Sequence, residues 1–398
     1  SSDQEVLAAI SRKNLPLEKI EPIVSAGSGR DFIEYFSELI LALPEDTAAK
    51  HYQSLRDAID RLQMNVVNVH QLTILEGTPL ALPEQKRAYG LVSKYRVFVG
   101  CIGLYEIGDA RVPVAEIEEV VVANKGMTHQ EWLNCRVISL LVKIYIDRDY
   151  FYEIFGLIRR LGLSPVDLLE HLRIRFISSY PNLNRVVGLF LTKTVEPLHD
   201  NRDELAAFVS SPEVVAKFGS GELGGNELLI HRAMAYLECN QDTHSALCDA
   251  AISYIAQNGM MNLEMERYIK EAVEFSRLRK FNPTNYSRDV EGEFTFDFVT
   301  AMTKGFRVLP GEVSQKRRTI RFYFDDIAKS EIDYALRTWV VREGSRRENK
   351  PGDAARDAGG LIRFDLNANT KYSFGKLFHY SNLRVMNRSA EYVDNDLR

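Results

Sequence analysis

Phe36-Ser-Glu-Leu-Ile-Leu-Ala-Leu-Pro-Glu-Asp-Thr47 is the stretch that decides how the rest of the sequence is read. Residues 36–43 form a mostly apolar run stopped by Pro44, the pattern of a buried strand with an abrupt end. Glu45-Asp46-Thr47 then supplies acidic and capping side chains, and Tyr52, Leu55, Ile59 and Leu62 recur at helical spacing as far as Gln63. A β-branched run, Val66-Val-Asn-Val-His-Gln-Leu-Thr-Ile-Leu75, follows at once. Strand, helix and strand in so short a span predict a βαβ unit with parallel strands and a right-handed crossover. Ligands of such sheets sit at the carboxyl ends of the strands. That places Leu43-Pro44-Glu45 and Leu75-Glu76-Gly77-Thr78 beside any site.

Working outward, 398 residues are enough for two or three domains. Fifty basic residues against 55 acidic ones give a net charge of −5, which excludes a general nucleic-acid footprint. Cys101, Cys135, Cys239 and Cys248 are too few and too scattered for a disulfide scaffold or a local metal cluster, and they predict a reducing, cytoplasmic setting. The most apolar window, 137–146, is broken by Lys143 and is too short to span a bilayer, so no membrane is expected as a partner. The chain opens at Ser1-Ser-Asp without methionine and reads like a series cut from something longer.

Asp3 can cap a first helix over 4–13, with Val6, Leu7 and Ile10 as its apolar stripe. Residues 95–105 and 112–122 read as extended. Thr128-His-Gln-Glu131 is a capping box opening a long helical region, with helices expected near 129–147, 149–161, 164–177, 182–197, 201–218, 225–238, 242–258 and 262–279. After Pro283, residues 294–299 and 319–324 alternate like strands and 325–341 resumes a helix. Residues 344–360 read as a mobile loop or linker. A last helix over 373–390 carries His379, Arg384 and Arg388 on a face expected to be solvated. These textures divide the chain into 1–125, 126–282 and 283–398. No fixed-period repeat occurs, and there is no G-x-S-x-G, Walker loop or H-E-x-x-H. The glycines of Gly219-Ser-Gly-Glu-Leu-Gly-Gly225 fit G-x-G-x-x-G but follow a helix instead of a strand, so they read as a turn and not as a dinucleotide-binding loop.

Three of these segments, in order, resemble the second half of a radical S-adenosylmethionine enzyme barrel. Ser1-Ser-Asp-Gln-Glu-Val-Leu-Ala-Ala-Ile-Ser-Arg12 is similar to that family's fourth strand end and helix, and Glu38-Leu-Ile-Leu-Ala-Leu-Pro-Glu45 to its fifth-strand motif, with Ala42 where glycine is usual. His70-Gln-Leu-Thr-Ile-Leu-Glu-Gly-Thr-Pro79, with Tyr95-Arg-Val-Phe-Val-Gly-Cys101 after it, is similar to the branch that carries a cobalamin-binding domain. The fold class implied is α/β: the C-terminal half of a partial (β/α)6 TIM-like barrel, then a mostly helical region and a small α+β tail. The implied activity is a cobalamin-dependent methyl transfer to a small molecule, started by a 5′-deoxyadenosyl radical and served by a reductant protein. S-adenosylmethionine would be shared with a [4Fe–4S] cluster and cobalamin, both held by segments outside this chain.

The resemblance also implies site residues. Arg12 would clamp the methionyl carboxylate through its bidentate fork, and Glu38 would accept the ribose hydroxyls, an acid whose burial in an apolar strand demands a partner. Ser2 and Asp3 would approach the ribose, Asp3 doubling as a helix cap. Ile40 with Leu72 to Ile74 would line the adenine, beside an Ala42 small enough for close approach, and Gln71 would meet substrate or cofactor. His70, Cys101, Tyr105 and Glu106 stand singly and read as packing or surface residues. No residue is expected to bind a metal. The competing reading is a non-catalytic binding or scaffold protein whose helices 128–280 form an interaction platform over a remnant half barrel.

Overall fold

The computed structural model describes residues 1–27, 35–219, 222–280, 286–339 and 387–393, of which 25–27, 219 and 333–339 are described in backbone only. Chain contacts divide the described residues into two units, one made of Ser1–Leu140 with Val187–His231, the other of Leu141–Val186 with Arg232–Thr338 and residues 387–393. No helix among the described residues is long and apolar enough to cross a membrane.

In the first unit, β1 (Phe36–Leu41) and β2 (Val66–Gln71) pair in parallel, with Glu38 opposite Asn68 and Ile40 opposite His70. The strand–helix–strand reading therefore holds. Thr47 is extended and its hydroxyl accepts the Lys50 amide hydrogen at 3.2 Å, which starts the crossover helix Ala48–Arg56. A π-turn, Asp57–Arg61, finishes it. The expected second strand is broken: β3 (Thr73–Ile74) leaves β2 to join β4 (Val92–Ile107) and β5 (Ala110–Ala123) in an antiparallel sheet ordered β3-β5-β4. Val97, Leu205 and Val209 form a small core where the helices Arg202–Val209 and Pro212–Gly219 cover the base of the β4–β5 hairpin. Pro212 splits what the spacing predicted as one helix over 201–218. The described strands form one two-stranded and two three-stranded sheets; no barrel closes among them.

The second unit is built on the helices Tyr152–Arg160, Pro165–Arg175, Asn240–Gln257 and Leu263–Arg279, with an antiparallel sheet of β6 (Val290–Phe296), β7 (Gln315–Tyr323) and β8 (Ser389–Tyr392) in that order. Phe275, Phe294, Phe298, Phe306 and Phe322 pack ring against ring in its core, mostly edge-on or tilted, with Phe298 and Phe306 stacked. Of the expected helix over 373–390, residues 373–386 lie outside the described residues; at its end Ser389 and Ala390 instead begin β8, drawn into a strand by pairing with β7. Arg388, expected on a solvated face, is buried and donates to the Leu278 carbonyl at 3.0 Å. Residues 344–360, His379 and Arg384 lie outside the described residues.

Buried charges in this unit are paired: Asp147 lies 3.1 Å from Lys143 and 2.8 Å from Arg232, and a second cluster gathers on Glu153. Glu153 and Lys280 are both fully buried, 2.9 Å apart, with Arg279 at 3.0 Å and the Ser276 hydroxyl donating at 3.1 Å. Burial pushes the Glu153 carboxyl up, and the charges of Lys280 and Arg279 more than reverse it, holding the group below its ordinary range. Removing the acid strands two cations in a low-dielectric interior. Glu153→Ala is expected to lower unfolding free energy in urea by about 3–5 kcal/mol; a loss below about 1 kcal/mol would show that water reaches the pair.

Candidate functional site

The two faces of the β1–β2 pair differ. Leu39 and Leu41 on one side, with Val67 and Val69, are buried, as are Leu55 and Ile59 from the crossover. The other side carries Phe36, Glu38, Ile40 and His70 and is open: Phe36 is 66% exposed, and the Glu38 and His70 side chains 58% and 56%. Glu38 Oε1 lies 3.6 Å from His70 Nε2. The expected burial of Glu38 is thus corrected; it is a carboxylate on an accessible face, and its partner comes from the neighbouring strand.

At the carboxyl tip of this face the chain makes a strained turn. β1 ends at Leu41, two residues before the sequence predicted, because Ala42 adopts φ 68° and Glu45 φ 63°. An L-residue in this left-handed region costs about 1–2 kcal/mol, so the surroundings must hold it there. Asp46 does so from within: its Oδ2 accepts the Ala42 amide hydrogen at 3.3 Å and its own amide donates to the Leu43 carbonyl at 2.9 Å. Lys50 Nζ donates to the Glu45 carbonyl at 3.0 Å, and Lys125 pairs with the Glu45 carboxylate at 2.5 Å.

The remaining predicted residues gather around this tip with altered roles. Asp3 caps the first helix, accepting from the Val6 amide at 3.0 Å, and reaches Lys50 at 3.3 Å. That helix is Gln4–Ala9, shorter than expected, because Ser11 turns to φ 53°. Arg12 therefore lies past its end, exposed. Its charge and that of Asp46 both act on the Ser1 amino group, whose pKa is lowered first by burial. Ser2 donates to Asp57 Oδ2 at 2.5 Å and its amide to the Ser54 hydroxyl at 3.2 Å. Leu72 and Ile74 are buried.

Gln71 departs most from expectation. It shares register with Leu41, on the side away from Glu38 and Ile40, and its Nε2 donates to Glu227 Oε1 at 3.4 Å. Glu227 in turn accepts from Arg136 at 2.5 Å and stands 3.9 Å from Arg96, which bonds Glu118 at 2.6 Å; Glu118 accepts from the Thr73 hydroxyl at 3.1 Å. Burial pushes the Glu227 carboxyl up, and Arg136 and Arg96 overcome it, so the acid is held ionised. Sequence reading missed this chain of charges because its members lie far apart. Arg136 amid Cys135, Val137 and Ile138 was the available signal, a cation inside an apolar helical run.

Among the described residues, Asp46 Oδ1, His51 Nε2, Gln71 Oε1 and Arg136 Nε are buried polar atoms without a hydrogen-bond partner. No group of three or more His, Cys, Asp or Glu there could hold a metal ion.

Fold and site define an α/β protein with a parallel strand pair presenting an open, partly charged face beneath a strained strand tip. The chain is 30% identical over 228 residues to the cobalamin-dependent radical SAM methyltransferase TokK of Streptomyces tokunonensis, a match that takes in 52% of this chain and 32% of that enzyme. The chain thus spans about a third of the length of the curated relative it matches. No family model matches it.

Two buried titrating groups at the tip have opposite linkage to folding. Burial raises Asp46 to about 7, so from its unfolded value near ~4 up to that pH the folded chain holds the extra proton, and stability falls as pH rises. Burial, helped by the Ser1 amine and Arg136, lowers His51 to about 3, so stability is lost as pH falls below ~6.5. Between about pH 4 and 6.5 the two slopes cancel. Asp46→Asn leaves only the second, and urea titrations are expected to show its stability gaining about 1.4 kcal/mol per pH unit over that window relative to wild type; parallel curves would contradict the assignment.

Proposed function

We propose that this chain is the S-adenosylmethionine-facing part of a radical S-adenosylmethionine enzyme of the cobalamin-dependent kind, a methyltransferase acting on a small molecule. The observation that supports it is the open β1–β2 face, on which Glu38, Ile40 and His70 stand in register below Ala42. The left-handed turn at the buried Ala42, where the similar motif carries glycine, ends β1 and so bounds the open face at which a nucleoside would approach. The similarity to an enzyme so named bears on the same reading.

In this reading Glu38 accepts hydrogen bonds from the two ribose hydroxyls, and Ile40 lies against the adenine. Arg12, exposed just past the end of the first helix, takes the methionyl carboxylate as a charge-assisted pair. Ser2 holds the approach of the chain through Asp57 and Ser54, and Gln71 acts from behind the strand by fixing Glu227. S-adenosylmethionine supplies, together with a reduced [4Fe–4S] cluster, homolytic chemistry toward an unactivated carbon. This sequence has no clustered cysteines, so it supplies no ligand set for the cluster, and cobalamin is assigned no residue here. The part of these side chains is to orient the nucleoside and keep it in place.

Calorimetric titration of the full chain with S-adenosylmethionine tests this. Saturable binding is expected, weakened about tenfold to a hundredfold in Arg12→Ala and in Glu38→Ala, the loss of one charge-assisted contact each. Absence of binding, or binding untouched by both substitutions, would remove the enzyme reading and leave the helical interaction platform.

A further inference from the structure

The β1 tip is also held from a segment eighty-odd residues further along the chain. Immediately after β5, Asn124 is buried, and its side chain serves two elements at once. Its Nδ2 donates to the Leu43 carbonyl at 2.8 Å, and its Oδ1 accepts the Gly126 amide hydrogen at 2.8 Å. The backbone of Asn124 closes a tight loop on Met127 through a reciprocal pair of bonds at 3.0 and 3.2 Å. Gly126 lies so close to the tip that an added Cβ would stand 3.0 Å from the Asp46 carbonyl oxygen and 3.1 Å from Thr47 Cγ2. A hydrogen-bonding side chain and a residue without one thus fit the same turn from the same side.

This arrangement is more than packing. The Leu43 carbonyl that Asn124 holds is the one that also receives the Asp46 amide, and Asp46 in turn holds Ala42 in its left-handed conformation. Without the Asn124 contact, Ala42 is free to relax toward an ordinary extended conformation, the direction its sterics favour. β1 would then run on past Leu41, and the boundary of the open face would shift with it.

We infer that Asn124, together with the close approach of Gly126, is a positioning element for the nucleoside end of the site, setting the left-handed turn at Ala42 on which close approach to the Glu38 and Ile40 face depends. The inference rests on the proposed S-adenosylmethionine reading for its ligand, and on coordinates alone for the turn. It separates two kinds of residue: Arg12, which would contact only the methionyl end, and Asn124, which touches no ligand and acts through the backbone of residues 42–46.

Two measurements on Asn124→Ala and Gly126→Ala, each checked for folding by its thermal transition, test the two halves. Amide hydrogen exchange of the full chain is expected to speed up roughly tenfold at Ala42 and Asp46 in both variants, with the Leu39 and Leu41 amides unchanged. Titration with 5′-deoxyadenosine, which lacks the methionyl group, is expected to lose affinity roughly tenfold in both variants and none in Arg12→Ala. Unchanged exchange at Ala42 and Asp46 overturns the positioning role whatever the ligand. Faster exchange with unchanged 5′-deoxyadenosine affinity overturns its link to the site. A wild-type chain that binds neither 5′-deoxyadenosine nor S-adenosylmethionine overturns the nucleoside reading itself, while the exchange result still decides whether Asn124 sets the turn.

Discussion

The left-handed backbone at Ala42 is the constraint on which the first unit depends. It ends β1 at Leu41, turns the chain so that Thr47 can cap the crossover helix, and leaves a residue with no more than a methyl group at the strand tip. A single unfavourable residue of about 1–2 kcal/mol is small beside the contacts gathered on it. Asp46 accepts its amide hydrogen from within the turn, while Lys50 holds the Glu45 carbonyl from the helix and Asn124 the Leu43 carbonyl from beyond β5. Strain of this kind persists only where its surroundings over-determine it, and such places are often sites of binding.

Charge is distributed unevenly around this tip. In front, on the open face, Glu38 and His70 are half exposed and pair loosely across the strands. Behind, Gln71, Arg96, Glu118, Arg136 and Glu227 form a buried sequence of contacts that ties β2, β4, β5 and two helices together. Two cations and two carboxylates leave that network with no net charge, as burial requires. The front face is free to meet a polar ligand, while the back fixes the strand that presents it.

Much of this was legible in the sequence, and the limits have physical causes. The apolar run at 36–41, the Thr47 cap and the Thr128-to-Glu131 capping box, whose Thr128 amide donates to Glu131 at 2.8 Å, are local signals within a turn or two of the residues they control. Left-handed residues at Ala42 and Ser11 are not local in that sense, because no glycine or asparagine marks them, and so β1 and the first helix were both read too long. Glu38 was expected to be buried because strand periodicity gives the face but not what covers it. Asn124, Arg136 and Glu227 gain their roles from partners 81 to 91 residues away, which no spacing reveals. Ser389 and Ala390, expected at the end of a helix, open the strand Ser389–Tyr392 instead, because two residues carry too little pattern of their own and pairing with β7 decides their conformation.

The central claim, that the β1–β2 face is built to receive a nucleoside, is tested most directly by methyl NMR of the full chain during titration with S-adenosylmethionine. The account predicts that the Ile40 methyl resonances shift in proportion to occupancy, while those of Leu39, Leu41 and Ile269, the last buried on the helix Leu263–Arg279 of the second unit, stay within the scatter of the baseline. Shifts confined to Ile269 and its neighbours, or none at Ile40 at saturating ligand, would contradict it.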